Sequence, residues 1–315
     1  MNLDHRVILV DKSPGMTSFG VVQRLRRLAG VDKAGHCGSL DPLATGLLVV
    51  CTGLGTRMAS LFVDQAKEYE GRVRFGRATD SYDADGRTTQ EAPVPPLVEA
   101  VVRAALRNFE GEIDQIPPMV SALKVDGRRL YQLAREGTEI ERAPRKVQVY
   151  GIDLVELGPD YADLRVRCGR GCYVRSIAHD LGAALGLPAH LETLRRRSIG
   201  ALHVDAALTL EQLAAARPGA EPLWGPKAVR TVPQAIDFLP AVRVRRAFED
   251  LVRNGGQPAP HFLVEPQAGP GTCRVMTDDG RWLLALARSD DARGRLRLEL
   301  VFATPLPVDA EAAPA

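Results

Sequence analysis

The spacing of apolar and polar residues in the first part of the chain predicts strands and a helix. Residues 6–10 (RVILV) and residues 46–53 (GLLVVCTG) are short apolar runs, so each predicts a buried strand. Residues 67–76 alternate between apolar and polar in the manner of a half-exposed strand. Thr17 precedes apolar residues at helical spacing and Gly30 follows them, so these two residues predict where a helix begins and ends.

The pattern continues to residue 216 with further helices and a hairpin. Residues 97–109 and 174–185 carry apolar residues at helical spacing, and each segment predicts a helix. Residues 146–157 and 162–168 lie on either side of a short turn and predict a β-hairpin. We therefore expect the first domain, residues 1–216, to be α+β, with a mixed, largely antiparallel sheet flanked by helices.

Proline and glycine mark the boundaries of the other segments. Residues 115–146 begin with prolines and end with basic residues, which predicts a long insertion in the first domain. Residues 217–235 are rich in Pro, Gly and Ala and predict a linker. Residues 236–304 predict a small β-barrel, and residues 305–315 predict a disordered tail. Within the predicted barrel, the helix covers residues 246–253 and the strand-like runs are 261–264, 272–276, 282–287 and 295–302.

Composition and charge narrow the class of protein only modestly. A chain of 315 residues suits two domains, and its 45% hydrophobic and 25% charged residues are ordinary for a globular protein. A net charge of +2 does not by itself indicate a nucleic-acid-binding protein. The chain has no apolar run of about 18 residues and no leader pattern, so we expect a cytoplasmic protein with no membrane association.

Cysteine and histidine spacing predicts neither a disulfide framework nor a metal site. The five cysteines are an odd number, and neither CxxC nor HExxH occurs. GxGxxG does not occur either, so we expect no cofactor. Basic residues form two clusters, each of which suits either a solvated surface or a binding surface. These clusters are Arg142, Arg145 and Lys146, and Arg195, Arg196 and Arg197.

The segment AGHCGSLDPLATG, residues 34–46, carries the clearest chemical pattern. Its three glycines and one proline predict a tightly turned loop, and the predicted strand that follows ties this loop to the core. Asp41 stands directly before Pro42, which favours an extended backbone. A carboxylate on a loop held by a sheet is typical of a catalytic group, although an aspartate before proline also caps turns.

This loop resembles the GHxGxLDPxAxG motif of the TruB family, the bacterial tRNA pseudouridine synthases that act on the T-loop. Cys37 stands where threonine is more usual. The resemblance spans nearly the whole chain and implies a pseudouridine synthase fold with a small C-terminal PUA-type RNA-binding barrel. The other matching segments are DKSPGMTS (11–18), KEY (67–69), TDSYDADG (79–86), IPPMVSALKVDGRRLYQLAREG (116–137), GRGCYVRSIAHDLG (169–182) and AHLETLRRRSIG (189–200).

The resemblance implies a role for each matching residue. Asp41 is then the nucleophile, Arg175 its ion-pair partner, and Tyr69 a stacking platform that also suits proton transfer. The residues that the resemblance and the basic character of the insertion place on the substrate are His36, Tyr173, Leu194, Lys12, Lys124, Arg128, Arg129, Arg142, Arg145 and Lys146. The residues alone leave simpler roles open: a turn cap for Asp41, cross-strand packing for Tyr69 and a surface charge for Arg175.

The implied activity is the isomerisation of uridine 55 in the T-loop of tRNA to pseudouridine, by base flipping and without a cofactor. The residue types are compatible with attack on C1′, attack on the ring, or a glycal route. The implied partner is the tRNA stem-loop, with a monomeric protein and no obligate protein partner. Two alternatives are a pseudouridine synthase that acts on ribosomal RNA or with a guide RNA, and an RNA-binding or tRNA-folding protein without catalysis.

Overall fold

The architecture is seen in a computed structural model that describes residues 3–121, 123–125, 128–130, 140–215, 227–264, 269–290 and 295–309. The strands in this part of the chain, in order, are β1 (Arg6–Lys12), β2 (Ala34–His36), β3 (Thr45–Thr52), β4 (Lys67–Phe75), β5 (Arg77–Thr79), β6 (Thr88–Glu91), β7 (Gly111–Gln115), β8 (Lys124–Val125), β9 (Arg128–Arg129), β10 (Arg145–Leu157), β11 (Tyr161–Cys168), β12 (Ala189–Ile199), β13 (Leu202–His203), β14 (Val229–Thr231), β15 (Ala241–Arg243), β16 (Gly271–Met276), β17 (Trp282–Asp290) and β18 (Arg295–Pro307).

Short helices connect these strands. The α-helices of the described residues are α1 (Ser18–Ala29), α2 (Ala59–Val63), α3 (Glu99–Leu106), α4 (Val174–Ala184), α5 (Leu210–Ala215), α6 (Val232–Ala235) and α7 (Glu249–Arg253). Segments of 3-10 helix cover Gly53–Met58, Arg107–Phe109, Val204–Ala206, Arg246–Phe248 and Pro260–Phe262. Within the described ranges, no helix is both long and apolar enough to cross a membrane. The segment RRLYQLAREG (128–137), which Gly137 closes, predicts a short helix in the insertion, but it falls largely outside the described residues.

A ten-stranded sheet forms the larger part of the molecule. Its strand order is β14-β1-β3-β12-β4-β11-β10-β7, with β2 beside β3 and β13 beside β12. The described pairings in this sheet are antiparallel except that between β3 and β12, which is parallel. The α+β prediction, with a mixed and largely antiparallel sheet, is therefore confirmed.

Helix α1 forms where its capping residues predict it. The Thr17 side chain accepts a hydrogen bond from the Gly20 amide, and Gly30 ends the helix with φ of 63°, in the left-handed region that glycine tolerates. Val21 and Leu25 are buried against the sheet, as the helical spacing indicates. The caps fix the register of the helix, and the apolar stripe fixes the face that packs on the sheet.

Strand β12 lies at the centre of the sheet but has no clear strand pattern in the sequence. It pairs with β3 on one side and with β4 on the other. The three consecutive arginines from Arg195 to Arg197 hide the alternation of buried and exposed positions. Each of these guanidiniums has partners nearby, so the fold accommodates charges that a hydrophobicity pattern would place on a surface.

The linker expected at residues 217–235 does not extend over that whole range. Strand β14 pairs antiparallel with β1, which makes residues 229–231 the edge strand of the large sheet. Thr231 then starts α6 with a capping box, because its hydroxyl accepts from the Gln234 amide and the Gln234 side chain accepts from the Thr231 amide. Capping and strand pairing thus order a segment whose Pro and Gly content predicts a linker, and residues 216–226 lie outside the described part.

The C-terminal residues form a four-stranded sheet in the order β15-β16-β17-β18, which is consistent with a PUA-like unit. The helix predicted at 246–253 is confirmed as a 3-10 turn followed by α7. The strand expected at 261–264 is wrong, because Pro260 opens a 3-10 turn there instead. The domain boundaries themselves stay a prediction.

Residues 305–307 belong to a strand and not to the predicted tail. Strand β18 continues to Pro307, where Pro307 pairs with Trp282 and Leu306 pairs with Leu283. Leu306 is 2% exposed and belongs to a core cluster that also holds Phe62 of the first part of the chain. A single apolar cluster thus joins the C-terminal sheet to the large sheet, and residues 310–315 lie outside the described residues.

We expect Leu306→Ala to destabilise the protein by about 2–5 kcal/mol, because truncation leaves a cavity in this shared cluster. Leu251→Ala is the matched control, since Leu251 lies in the same C-terminal region but is 39% exposed, and it should change stability by about 0.5 kcal/mol or less. Urea unfolding followed by circular dichroism measures both. Equal effects of the two substitutions would show that residue 306 is outside the cooperative core.

Candidate active site

The loop that carries Asp41 connects β2 to β3 and is held from helix α1. Ser18 accepts a hydrogen bond from the Leu40 amide at 2.8 Å and donates one to the Leu40 carbonyl at 3.0 Å. The Ala44 amide donates to the Asp41 carbonyl at 3.1 Å, which closes a tight turn around Pro42. Both the amide and the carbonyl of Leu40, the residue before Asp41, are therefore held by hydrogen bonds.

Lys12 closes the same loop from strand β1. Its Nζ donates to the carbonyl oxygens of Ser13 and Pro42, both at 3.0 Å, and of Ala44 at 2.5 Å. The side chain is buried, and that burial lowers the pKa of Lys12 to about 8, although the nearby Asp41 raises it. The ammonium thus donates to the carbonyls of this loop, and the contact of Lys12 with substrate stays a prediction.

Arg175, on helix α4, is paired with Asp41 through two nitrogens. Nε lies 2.9 Å from Oδ2, and Nη2 donates to Oδ1 at 3.1 Å. The Arg175 side chain is 2% exposed, whereas the Asp41 side chain is 34% exposed. The guanidinium is thus sealed in the protein, while the carboxylate that it holds stays open to a ligand.

The same guanidinium also contacts two other segments. It donates to the Ser81 carbonyl at 2.9 Å and to the Val120 carbonyl at 2.8 Å, and its Nη1 lies 3.4 Å from Oδ2 of Asp83. Burial raises the pKa of Asp83, while a hydrogen bond from Ser81 and the charge of Arg175 oppose that rise. One buried cation therefore orients a half-exposed carboxylate on one side and a buried one on the other.

Asp83 is a site residue that the sequence analysis does not assign. Asp83 lies in the TDSYDADG segment, which resembles the TruB family, and this resemblance is the signal that could have identified it. Its Oδ1 accepts hydrogen bonds from the Ser81 hydroxyl and from the Asp85 amide at 3.2 Å. These local bonds make the segment a folded turn that presents one carboxylate to Arg175.

Tyr69 and Leu194 are brought together on neighbouring strands. Tyr69 lies on β4 and Leu194 on β12, and both belong to the core cluster that includes Leu40, the neighbour of Asp41. Leu194 faces Gly71 across the strands, and a Cβ on Gly71 would come within 3.2 Å of a Leu194 methyl group. Burial raises the pKa of Tyr69, so its hydroxyl stays protonated at neutral pH.

Tyr173 precedes helix α4 and is held by Gln115. The Tyr173 amide donates to Gln115 Oε1 at 2.7 Å, and Gln115 Nε2 donates to the Tyr173 carbonyl at 3.0 Å. Burial raises the pKa of Tyr173, and the nearby Ser121 and Arg175 oppose that rise. Gln115, which the sequence analysis does not single out, thus fixes the backbone two residues before Arg175.

His36 lies on β2, close to the loop, and is half-buried. Its Nδ1 is buried and has no hydrogen-bond partner among the described residues. Burial lowers the pKa of His36, and the charge of Arg196 lowers it further. The imidazole is therefore neutral at pH 7 and offers an unpaired ring nitrogen beside the Asp41 loop.

The basic residues of the 115–146 insertion are only partly described. The backbones of Lys124, Arg128 and Arg129 form the paired strands β8 and β9, and their side chains lie outside the described residues. Arg142 donates to the Pro117 carbonyl at 3.1 Å. Two more residues are exposed at the start of β10, where Lys146 is ion-paired with Glu112 and Arg145 is the neighbour.

Arg196 is a buried residue of the site that the sequence analysis places in a basic cluster without a role. It donates to the carbonyls of Leu47 at 2.7 Å, Gly38 at 3.1 Å and Ser39 at 3.3 Å. These carbonyls flank Asp41 on both sides in the sequence. The solvated-surface interpretation is therefore wrong for Arg196.

Arg195 and Arg197, the neighbours of Arg196, are partly exposed and ion-paired. Both Nη atoms of Arg195 donate to the carboxylate of Asp11, and Arg197 donates to Asp205. These pairs lie on the partly solvated side of β12 and suit an ordinary surface role.

Two family models match the chain. The model described as TruB family pseudouridylate synthase (N terminal domain) matches residues 26–174. The model described as tRNA pseudouridylate synthase B C-terminal domain matches residues 175–221. The Asp41 loop, the Tyr69 strand and the Asp83 turn fall within the first match, and Arg175 opens the second.

Individual relatives are similar over most of their length. The tRNA pseudouridine synthase B of Azoarcus sp. (strain BH72) is 41% identical over 282 residues, covering 88% of this chain and 89% of the relative. The protein of the same name from Cupriavidus metallidurans is 41% identical over 304 residues, covering 94% and 93%. A solved structure described as an H/ACA RNP bound to a substrate RNA containing 2'-deoxyuridine matches with a TM-score of 0.74 and 25% identity, over 96% of this chain and 86% of that chain.

The fold, the aspartate–arginine pair and these similarities define the class as pseudouridylate synthases. The sheet order places the Asp41 loop and Tyr69 on either side of β12, and the family models cover these segments continuously. Within that class, the chain belongs to the TruB family, which confirms the resemblance of its loop motif.

We expect the ring of His36 to remain mostly neutral at pH 6.5, because burial and the charge of Arg196 both disfavour the protonated form. The unfolded chain then binds the proton first, so His36 contributes a loss of stability as the pH falls below about 6.5. NMR titration of the imidazole nitrogens measures the midpoint, with the His36→Gln variant used to assign the signal. A midpoint at or above that of free imidazole would contradict the burial seen here.

Proposed function

We propose that this protein converts uridine 55 in the T-loop of tRNA into pseudouridine, with Asp41 as the nucleophile. The observation that carries the proposal is the paired contact of Arg175 with Asp41, in which a buried guanidinium holds a carboxylate that is still open to a ligand. The relatives named tRNA pseudouridine synthase B support tRNA as the substrate.

The reaction is an isomerisation that a carboxylate can assist without redox chemistry. The N1–C1′ bond breaks, the uracil turns, and a C5–C1′ bond forms. The proton on C5 leaves, and N1 gains one, so atoms and electrons balance within the nucleotide. The protein must therefore supply a negative charge near the sugar and base, a surface that holds the loose uracil, and an acceptor for the C5 proton.

Asp41 supplies the negative charge, and Arg175 keeps it ionised and aimed. An adjacent guanidinium favours the charged form of a carboxylate, and a two-point contact also fixes its orientation. Asp83 and the carbonyls of Ser81 and Val120 hold the other side of the guanidinium. Arg175 therefore cannot rotate away from Asp41 without losing several buried partners.

The uracil has to leave its loop before it can reach Asp41. Flipping a base costs a few kcal/mol, and stacking on an aromatic ring returns about 1–3 kcal/mol. Tyr69 provides the ring, with Leu194 packed in the same cluster. Tyr173 and the neutral His36 lie near the Asp41 loop of the protein and offer further contacts with the base and its neighbours. A Tyr69 hydroxyl also suits the late proton transfer at C5.

Binding of the tRNA stem-loop is assigned to the insertion at residues 115–146 and to the C-terminal sheet. Arg145 and Lys146 are exposed at one edge of the insertion. We propose residues 1–216 as the catalytic domain and residues 236–304 as an RNA-binding, PUA-like domain. We also propose a monomer without an obligate protein partner that acts in the cytoplasm, where tRNA is processed.

The guide-dependent alternative rests on the similarity to the H/ACA RNP, at 25% identity. The relatives at 41% identity carry the tRNA synthase name, so the same sheet serves both kinds of protein and the sequence favours tRNA. Incubation with unmodified tRNA alone separates the two, since a guide-dependent enzyme would leave that tRNA unchanged. A tRNA-folding protein without catalysis would also leave it unchanged.

We expect Asp41→Asn to abolish pseudouridine formation while tRNA affinity stays within about threefold, because the substitution removes the charge and keeps the shape. Release of tritium from C5-labelled uridine measures turnover, since the new bond at C5 replaces that hydrogen. Filter binding measures affinity for the same unmodified tRNA.

Asp153→Asn is the matched control for this charge removal, because Asp153 is exposed on β10 and should retain full activity. Chemical mapping of the wild-type product should place pseudouridine at position 55 of the tRNA. A parallel loss of affinity and turnover in the Asp41 variant would mean that this carboxylate is structural.

We expect tRNA affinity to fall with salt, with a log–log slope of about −0.7 to −0.9 for each phosphate contact. Arg145→Gln should make the slope shallower by about one contact, whereas Arg103→Gln, on the outer side of α3 and paired with Glu99, should leave it unchanged. Equilibrium binding between 50 and 200 mM salt, on the order of the range where such contacts dominate, tests both. A flat salt dependence in the wild type would argue against phosphate contacts.

A further inference from the structure

Arg196 is a buried cation in the middle of the large sheet, and the roles assigned so far do not include it. Its side chain is 1% exposed, among the largest fully buried side chains of the described residues. Burying a guanidinium away from water costs several kcal/mol unless good partners replace the solvent. A charge in such a place therefore needs a reason beyond packing.

The partners of Arg196 are the two ends of the Asp41 loop. Gly38 and Ser39 come just before Asp41, and Leu47 follows the loop on β3. The carbonyl oxygens of all three accept hydrogen bonds from this one guanidinium. A side chain at Gly46 would collide with the Arg196 backbone, so strand and loop are in close contact. Arg196 thus holds carbonyls of the loop other than those held by Lys12 and Ser18.

The same residue faces Tyr69. Arg196 and Tyr69 are opposite each other in the antiparallel pairing of β12 with β4, which places their side chains on one face of the sheet. Burial raises the pKa of Tyr69, and a charge interaction and a hydrogen-bonding interaction with Arg196 oppose that rise. The register of the two strands and the pKa of Tyr69 thus both place the Arg196 charge next to the Tyr69 ring.

We propose that Arg196 is a positioning residue that fixes the spacing between Asp41 and Tyr69, the two groups that a flipped uridine must meet together. This inference rests on the proposed function. The residue touches neither the base nor the sugar, and it acts by holding the loop of one group and the ring of the other. A misplacement of reacting groups by about 1 Å can lower a rate by about 100-fold.

The shape of the guanidinium accounts for arginine at this position. Its planar fork reaches three carbonyls at once, whereas the compact ammonium of lysine would keep the charge and lose part of that reach. Arg197 supplies the natural comparison, since it is the next residue on the same strand but ion-pairs with Asp205 at the surface.

The test compares Arg196→Lys and Arg196→Gln with Arg197→Lys in single-turnover assays on unmodified tRNA. We expect Arg196→Gln to lower the rate by about 100-fold and Arg196→Lys to fall between it and the wild type, with tRNA affinity within about threefold in both. Arg197→Lys should keep the wild-type rate. Thermal unfolding and active-site titration with tRNA correct each rate for the folded fraction.

The outcomes separate this inference from the proposed function. A wild-type enzyme that forms pseudouridine, together with an Arg196→Gln variant of unchanged rate, would overturn the positioning role and leave the proposed function intact. Failure of the wild type on tRNA would instead remove the proposed function. A loss of affinity equal to the loss of rate would mean that Arg196 serves RNA binding or general structure.

A second measurement remains informative if the Arg196 variants do not fold. Tyr69→Phe removes the phenol oxygen and leaves the Asp41 loop untouched in sequence. Because Arg196 then loses the polar group that faces it across the strands, we expect faster amide hydrogen exchange in peptides that cover residues 37–47, relative to the wild type. Tyr150→Phe, on an exposed position of β10, is the control and should leave that exchange unchanged. Unchanged exchange in Tyr69→Phe would overturn the link between ring and loop.

Discussion

The site depends on a charged group that water cannot reach. The Arg175 guanidinium is enclosed by Asp41, Asp83 and two main-chain carbonyls, which come from three separate segments of the chain. Since an enclosed cation without partners costs several kcal/mol, these segments have to arrive together for any of them to be stable. The position of the half-exposed carboxylate follows from this requirement, because it is the one partner that the protein leaves open to a ligand.

The sheet explains how distant segments meet. Strand β12 lies between β3, which continues from the Asp41 loop, and β4, which carries Tyr69. Because paired strands lie about 5 Å apart, residues far apart in sequence become neighbours on one face. Helix α4 lies between β11 and β12 in the chain and packs against β12, and its Arg175 thereby meets the Asp41 loop. Tertiary pairing, more than any local propensity, assembles the site.

Much of the fold can be predicted from the sequence wherever one local signal dominates. Thr17 and Gly30 bound α1 as capping rules require, and the alternation in residues 146–157 and 162–168 gives the β10–β11 hairpin. Strand β12 is not predicted from the sequence because its three arginines find acceptors on other segments, which a hydrophobicity pattern cannot show. Strand β14 is not predicted for a related reason, since it forms through its pairing with β1 in a segment rich in proline and glycine.

In the candidate site, too, local sequence signals predict some features, whereas tertiary contacts determine the others. The spacing of the loop motif is enough to select Asp41. The carbonyls that accept hydrogen bonds from Lys12 and Arg196 cannot be predicted in this way, because they depend on how the loop folds back. Their supports lie on β1, α1 and β12, so no contiguous peptide contains the conformation of this loop. For protein engineering, the Asp41 loop consequently cannot be grafted by itself. The new scaffold would also need an ammonium, a serine and a guanidinium in the same positions relative to the loop, because without them the transplanted aspartate would not keep its orientation.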